Sequence, residues 1–358
     1  MTGRDFTATC LLIFSASGAL AQERGLDAAP VRLNGEMALL DVLASLEKQT
    51  GNVVVDRRGT KNNPRLTLKS TTFWSILDEI GKSHGIGHSP YQADEIIALT
   101  DSPYRPARIS SHGPFRTSFK GVTAILDEET QSRTCQIALE LAWEPRLRPL
   151  FLNVQEGAMT FGAQVEKLTP ESLRGLTGSG ATELLLRFPA PPRSVQSINS
   201  LKGSVRLITA PDHVTFTFSK LENRTAVPRD VEPQKGMTAR LMTTSQSNSL
   251  WSFNLKVEYP PGAIPAMESH QQTGIWENNR YWLSWIEPSS KEPRRLEPRN
   301  LSYASANNPA IMNVALIFRA NETTALPPKG AAVTLHVRVP TRVATVTVPF
   351  EFRDLPLP

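Results

Sequence analysis

The stretch LLDVLASLEKQTGNVVVD, Leu39 to Asp56, joins two periodicities across one glycine. Leu39, Val42, Leu43 and Leu46 recur at intervals of three and four, which puts them on one face of a helix. Gly51 follows the last polar turn, where a left-handed C-terminal cap suits glycine, and Val53 to Val55 then read as a strand. A second copy follows. LTLKSTTFW leads into a helix with Phe73, Trp74, Leu77 and Ile80 facing inward, and Thr71 or Thr72 caps its start. Leu43, Leu46 and Gly51 correspond to Leu77, Ile80 and Gly85 at a constant offset. Each copy is strand–helix–strand, and DEIIALT (94–100) adds a closing strand. Residues 30–102 therefore form a duplicated βαβ unit, a small α+β domain of about 70 residues. That is near the size at which a single core is marginal, and its strand edges are open to a partner.

The whole chain has 358 residues, more than one domain holds. Hydrophobic residues at 40 % and charged ones at 20 % are globular values, while Pro 28 and Gly 21 favour turns and short strands. The start reads as an export signal: Arg4, then an apolar stretch from Ala8 to Leu20, then Ala19-Leu20-Ala21 as a cleavage site. The signal peptide is expected at 1–21, with the mature chain starting at Gln22 and acting in the periplasm or outside the cell. Cys10 lies too deep in this segment for lipid attachment, and no apolar run reaches the length of an integral membrane span. Cleavage removes Arg4 and Asp5 together, so the formal net charge stays at +5. With no block of like charges, nucleic acid is not an expected partner. Only Cys135 remains, so no intrachain disulfide forms. It alternates with Ile137, Leu139, Leu141 and Trp143, the pattern of a buried structural thiol.

After a Pro-rich hinge, DSPYRPARISSHGPF, the pattern changes to period 2. RTCQIALELAW, TELLLRF, GSVRLIT and HVTFTFSKL read as strands punctuated by proline. A polar linker, ENRTAVPRDVEPQKG, precedes a second series. WSFNLKVEYPPG matches QIALELAWEP, LIFRANETTALPPKGAAVTLHV echoes LLRFPAPPRSVQSINSLKGSVRL, and VATVTVPFEF parallels VTFTFSKL. Two similar mainly-β domains in tandem account for these echoes, at residues 103–225 and 229–358. Immunoglobulin-like antiparallel sandwiches are the expected architecture for both.

The segment VRLNGEMALLDVLASLEKQTGNVVVDRRG, with RLTLKSTTFWSILDEIGKSHGI, resembles the short N-terminal domain shared by secretins and TonB-dependent receptors (STN). The resemblance covers about residues 30–100 and rests on hydrophobic spacing, Thr50-Gly51 and the second Leu-x-x-Ile pair. It implies a docking fold and names no catalytic residue. The layout, ending in FEFRDLPLP, also resembles exported bacterial proteins that carry such a domain ahead of β-sandwiches. Nothing resembles the secretin pore or a TonB-type barrel.

No catalytic, cofactor-binding or metal-ligating set emerges. His84 and His88 are four apart, but the glycines between them mark a helix exit and no Glu follows His84, so both are expected in a loop, with Asp94 and Glu95 in the next strand. There is no G-x-S-x-G elbow, and His112 and His270 lie in polar peptides. The acidic residues are dispersed; Asp127, Glu128 and Glu129 mark a turn. GLTGSG (175–180) lacks the lysine of a phosphate loop. Asn223, Asn300 and Asn321 begin short sequons without further support. The densest feature is GIWENNRYWLSWIEP. Tyr281, Leu283 and Trp285 alternate inward, while Trp276, Asn278, Arg280 and Trp282 form a candidate ligand platform in which rings stack on sugars and polar groups hydrogen-bond. The expected function is thus a non-enzymatic binding or docking module of the bacterial cell envelope. Its ligand would be an envelope protein or a cell-wall polymer, held at the N-terminal domain edge or on a β-sandwich surface. The alternative is a hydrolase of envelope polysaccharide or protein with its site at a domain junction, where His and carboxylates would converge within hydrogen-bond reach.

Overall fold

The computed structural model describes residues 26–60, 62–92, 96–168, 172–176, 178–210, 212–223, 227–247, 249–263, 276, 279–287, 293–304, 308, 310–320 and 324–357. The expected signal peptide and Asp94, Glu95, His270, Asn278 and Asn321 lie outside them. Among the described residues the chain is multidomain and mainly β, with two α-helices.

The N-terminal unit runs β1 (Glu36–Ala38), α1 (Leu39–Thr50), β2 (Val53–Asp56), β3 (Arg65–Thr67), α2 (Phe73–His84), β4 (Ile86–Ser89) and β5 (Ile96–Pro103). β1 pairs with β3, while β5 lies between β2, parallel to it, and β4, antiparallel. The helices bury the faces their periodicity defines: Leu39, Val42, Leu43 and Leu46 meet Phe73, Trp74, Leu77 and Ile80 in one core. Gly51 and Gly85 close the two helices in the left-handed conformation, at φ 73° and 68°. Thr72 starts α2, its N–H donating to Ser75 Oγ at 3.2 Å. His88 sits in β4, not in a loop, because β4 begins directly after the Gly85 cap.

The next strands are β6 (Ile109–His112), β7 (Phe115–Leu126), β8 (Arg133–Trp143), β9 (Pro149–Phe161), β10 (Gln164–Lys167), β11 (Arg174–Gly175), β12 (Ala181–Pro189) and β13 (Ser197–Thr209). Then follow β14 (His213–Phe218), β15 (Arg229–Asp230), β16 (Thr238–Gln246), β17 (Trp251–Glu258), β18 (Arg280–Ile286), β19 (Pro293–Leu296), β20 (Asn300–Ala304), β21 (Ile311–Phe318), β22 (Thr334–Pro340) and β23 (Ala344–Pro356). The first sandwich faces sheet β12-β8-β7-β6 with sheet β10-β9-β13-β23, and β11 also pairs with β9. The second faces β15-β16-β17-β21-β20 with β14-β22-β18-β19. The expected hinge is therefore part of the first sandwich, since β6 pairs with β7. Cys135 is buried among Ile137, Leu139 and Leu141, and burial raises its thiol pKa.

Apart from β11 and β20, which have no counterpart, the strand orders match. β6, β7, β8 and β12 correspond to β15, β16, β17 and β21, and β10, β9 and β13 to β19, β18 and β22. The last pair is exchanged. β14 leaves β13 to join β22 in the second sandwich, and β23 leaves β22 to join β13 in the first. The register is continuous through the crossing: Thr209 faces Ala344 on one side and His213 faces Pro340 on the other, with no slip between them. Between these pairs Thr341 N–H donates to Asp212 O at 2.9 Å. One two-stranded ribbon thus runs through both sandwiches. The boundary expected at 225–229 does not separate the sheets, because 344–356 belongs to the first sandwich and 213–218 to the second. Period 2 marks a strand but does not say which sheet completes its edge.

Candidate functional site

Two places concentrate polar chemistry. The first is the junction of the N-terminal unit with the outer face of β12-β8-β7-β6. Trp74 Nε1–H donates to Pro114 O at 3.0 Å, and Gly180 N–H to Pro90 O at 2.9 Å. Asn52 Nδ2 donates to Glu144 Oε2 at 3.0 Å, while Asn52 Oδ1 accepts from the Arg146 N–H at 2.9 Å. Ala142 and Ala181 complete the helical core from the sandwich side.

Within this junction a cavity of about 410 Å³ opens between β4–β5 and β7–β8. Alternation on β7 points Arg116 and Ser118 at the N-terminal unit while Phe115 enters the sandwich core. The Arg116 guanidinium, 6 % exposed, donates to Asp78 Oδ1 at 3.0 Å and to Ser118 Oγ at 3.1 Å, and it lies 5.6 Å from the Trp74 ring centre. Asp78 also accepts from the Tyr104 hydroxyl at 3.2 Å, and Lys120 donates to buried Glu140 at 3.2 Å. His88 stands between the Trp74 and Tyr104 rings, 6.1 and 6.2 Å from their centres. Burial, and then the Arg116 charge, push its pKa down to about 4, so the ring is neutral at physiological pH. Burial, with Asp78 beside it, raises the Tyr104 phenol. Arg116 Nε and His88 Nδ1 are buried without a hydrogen-bond partner. A larger hollow of about 630 Å³ on β9, β13 and β23 is flanked by Lys202 and Glu351, already paired at 3.4 Å and both exposed. It has no comparable buried donor among the described residues.

The second place is the outer face of β14-β22-β18-β19. The aromatic cluster divides across this sheet. Tyr281 and Trp285 enter the core, as does Trp276, whose carbonyl accepts from the Tyr303 hydroxyl at 2.6 Å. Burial at 2 % exposure removes Trp276 from any ligand platform. Arg280 and Trp282 face outward. Trp282 stacks on His336 of β22, with centroids 4.8 Å apart and planes at 6°, and Arg295 of β19 sets its guanidinium carbon 4.7 Å from the indole centre. Because β22 and β19 flank β18 on opposite sides, the two flat faces of the indole are both covered. Arg280 lies opposite Arg338 in the ladder. His336 Nε2 and Ser284 Oγ are 2.7 Å apart, and burial, then Arg295, lower the His336 pKa. That pair is a hydroxyl and a base with no carboxylate among the described residues bonded to the ring.

Sequence reasoning singled out Trp282 and Arg280 but not Asp78, Arg116, Lys120, Glu140, Arg295, His336 or Arg338. The available signal was Glu140, a charge inside the otherwise apolar run QIALELAW. Among the described residues no three His, Cys, Asp or Glu side chains gather as metal ligands, and no helix is long and apolar enough to cross a membrane.

No family model matches the chain, and no curated protein matches it. Among solved structures it is similar to the conserved domain protein from Bacillus anthracis at 10 % identity, over 69 % of this chain and 90 % of that one, with a TM-score of 0.18. That value is too low to carry an argument about fold or function.

Proposed function

We propose that the chain is a non-enzymatic exported protein of the bacterial envelope that binds a cell-wall polymer or an envelope protein. In this reading residues 30–102 are an STN-like unit, the two sandwiches are immunoglobulin-like, and the protein works in the periplasm or outside the cell. The observation that carries the reading is the outward row on β22, β18 and β19: Arg338 and Arg280, then His336, Trp282 and Arg295. The Arg295 guanidinium, held against the indole and donating to exposed Glu297 at 2.8 Å, is pre-oriented, so it loses little freedom on exchanging that partner for a carboxylate or phosphate. Since both indole faces are covered, the polymer is read through its anionic groups and not by a sugar ring lying on Trp282. The test is retention of the chain from Gln22 onward on purified cell-wall polysaccharide. Trp282→Ala and Arg295→Ala are each expected to weaken it about tenfold, a loss of about 1.4 kcal/mol; unchanged retention in both would retire the reading.

The hydrolase alternative draws on one observation, the convergence of His88, Asp78 and Glu140 at the first junction. Asp78 is bonded to Arg116 and Tyr104, and Glu140 to Lys120, so neither carboxylate orients the imidazole. Turnover of peptidoglycan or casein that disappears in His88→Asn would replace the binding reading.

A further inference from the structure

We propose that the junction cavity is a binding site for a small molecule bearing one carboxylate. It does not depend on the Trp282 face. At about 410 Å³ the cavity falls in the range that holds small ligands. Arg116 and His88 line it from the two bodies that form the junction, and each carries one buried nitrogen without a partner behind the wall, Nε and Nδ1. The large majority of buried polar atoms in folded proteins are paired, and an orphaned guanidinium N–H is satisfied best by an anionic oxygen.

Charge selects the class of ligand. Arg105, Arg116 and Lys120 line the cavity with Glu140, and Asp78 stands behind Arg116. Glu183, opposite Glu140 in the ladder and near Tyr91, brings the acids to three against three bases, and a single carboxylate disturbs that balance less than a phosphate at roughly −1.5 to −2. Tyr91, Pro103 and Tyr104 supply apolar wall for the rest of the molecule.

The wall is held in place by close approaches that only glycine permits. A Cβ on Gly81 of α2 would fall 2.2 Å from the Tyr104 ring, and one on Gly87 would fall 2.1 Å from Ser102 O. Tyr104 therefore lies flat on α2 with its hydroxyl on Asp78, and β4 presses against β5 beside His88. The site is pre-formed rather than assembled by the ligand.

The test uses NMR of the histidine rings in the chain from Gln22 onward, with His88→Asn to assign the signal. N-acetylalanine, its carboxamide and inorganic phosphate are titrated at constant ionic strength. N-acetylalanine is expected to shift the His88 resonances saturably and to raise the ring's pKa, since the bound carboxylate offsets Arg116. The carboxamide and phosphate are expected to bind at least about tenfold more weakly. Arg116→Gln should abolish the response, and Arg105→Ala, at an exposed position where folding is not at stake, should weaken it several-fold. No saturable shift up to about 50 mM, equal response to the carboxamide or phosphate, or unchanged affinity in Arg105→Ala would overturn the proposal.

Discussion

Glu144 is fully buried, and its oxygens are met by three donors, the Ala29 N–H at 3.2 Å, Asn52 Nδ2 at 3.0 Å and Arg146 Nε at 2.6 Å. In sequence it is one polar residue in the turn WEPRLRP. Its role follows only from the Asn52 side chain arriving from far away in the chain. Breaking such a set costs more than its net worth, since the remaining charges stay desolvated. Glu144→Ala is expected to lower stability by about 3–5 kcal/mol and Asn52→Ala by about 1–3 kcal/mol, read from urea unfolding. Leu46, at 0 % exposure, was legible from period alone, and Leu46→Ala should cost about 2–5 kcal/mol. Two half-buried histidines set the pH response. His88 is pushed to about 4 and His213 to about 3, in both cases chiefly by burial. Their folded pKa values lie below the unfolded value near 6.5, so the unfolded chain binds more protons. The stability they confer is complete above about pH 6.5 and is lost as pH falls from there toward 4 and 3. Unfolding free energy should drop by about 2 kcal/mol per histidine between pH 7 and 5. His88→Asn or His213→Asn should flatten that slope, and a pH-independent wild type would refute the assignment.

At the scale of elements, the exchanged ribbon decides how the sandwiches hold together. β23 contributes Val346, Val348, Phe350, Phe352 and Leu355 to the core of the first sandwich, although its residues follow the second in sequence. Each such side chain contributes roughly 1.5–3 kcal/mol by burial, so their sum is comparable with the 5–15 kcal/mol by which a domain is stable. Truncation after Pro340 should therefore unfold the first sandwich. Cys135 is a built-in reporter: its thiol is 1 % exposed on β8 and should react with a thiol reagent within minutes in the truncated chain and only very slowly in the intact one. Independent tandem domains would leave Cys135 protected. The echo between VATVTVPFEF and VTFTFSKL pointed to equivalent strands, and their topological equivalence is real. Where each strand goes was not legible, because both have the same alternation and either sheet satisfies it.

For the whole molecule, the N-terminal unit is docked rather than hung on a linker. Trp74, Asp78 and Asn52 reach into the sandwich, and Arg116, Glu140 and Glu144 reach back. Deleting residues 22–102 strips partners from Arg116 and Glu144 and uncovers Ala142 and Ala181. The sandwiches should then melt well below the intact chain, by scanning calorimetry, instead of retaining its transition as freely linked modules would. The sequence by itself determined the helices, their buried faces, the glycine caps, the alternating strands, the inward thiol and the tandem correspondence. All of these depend on neighbours within a few residues, where period and capping chemistry act. Only the tertiary structure decided the strand exchange, the division of the tryptophans across one sheet and the junction cavity with its unpartnered Arg116 and His88. Those depend on which distant surface covers a face, and a side chain's charge, burial and hydrogen bonds are set by that surface and not by its neighbours along the chain.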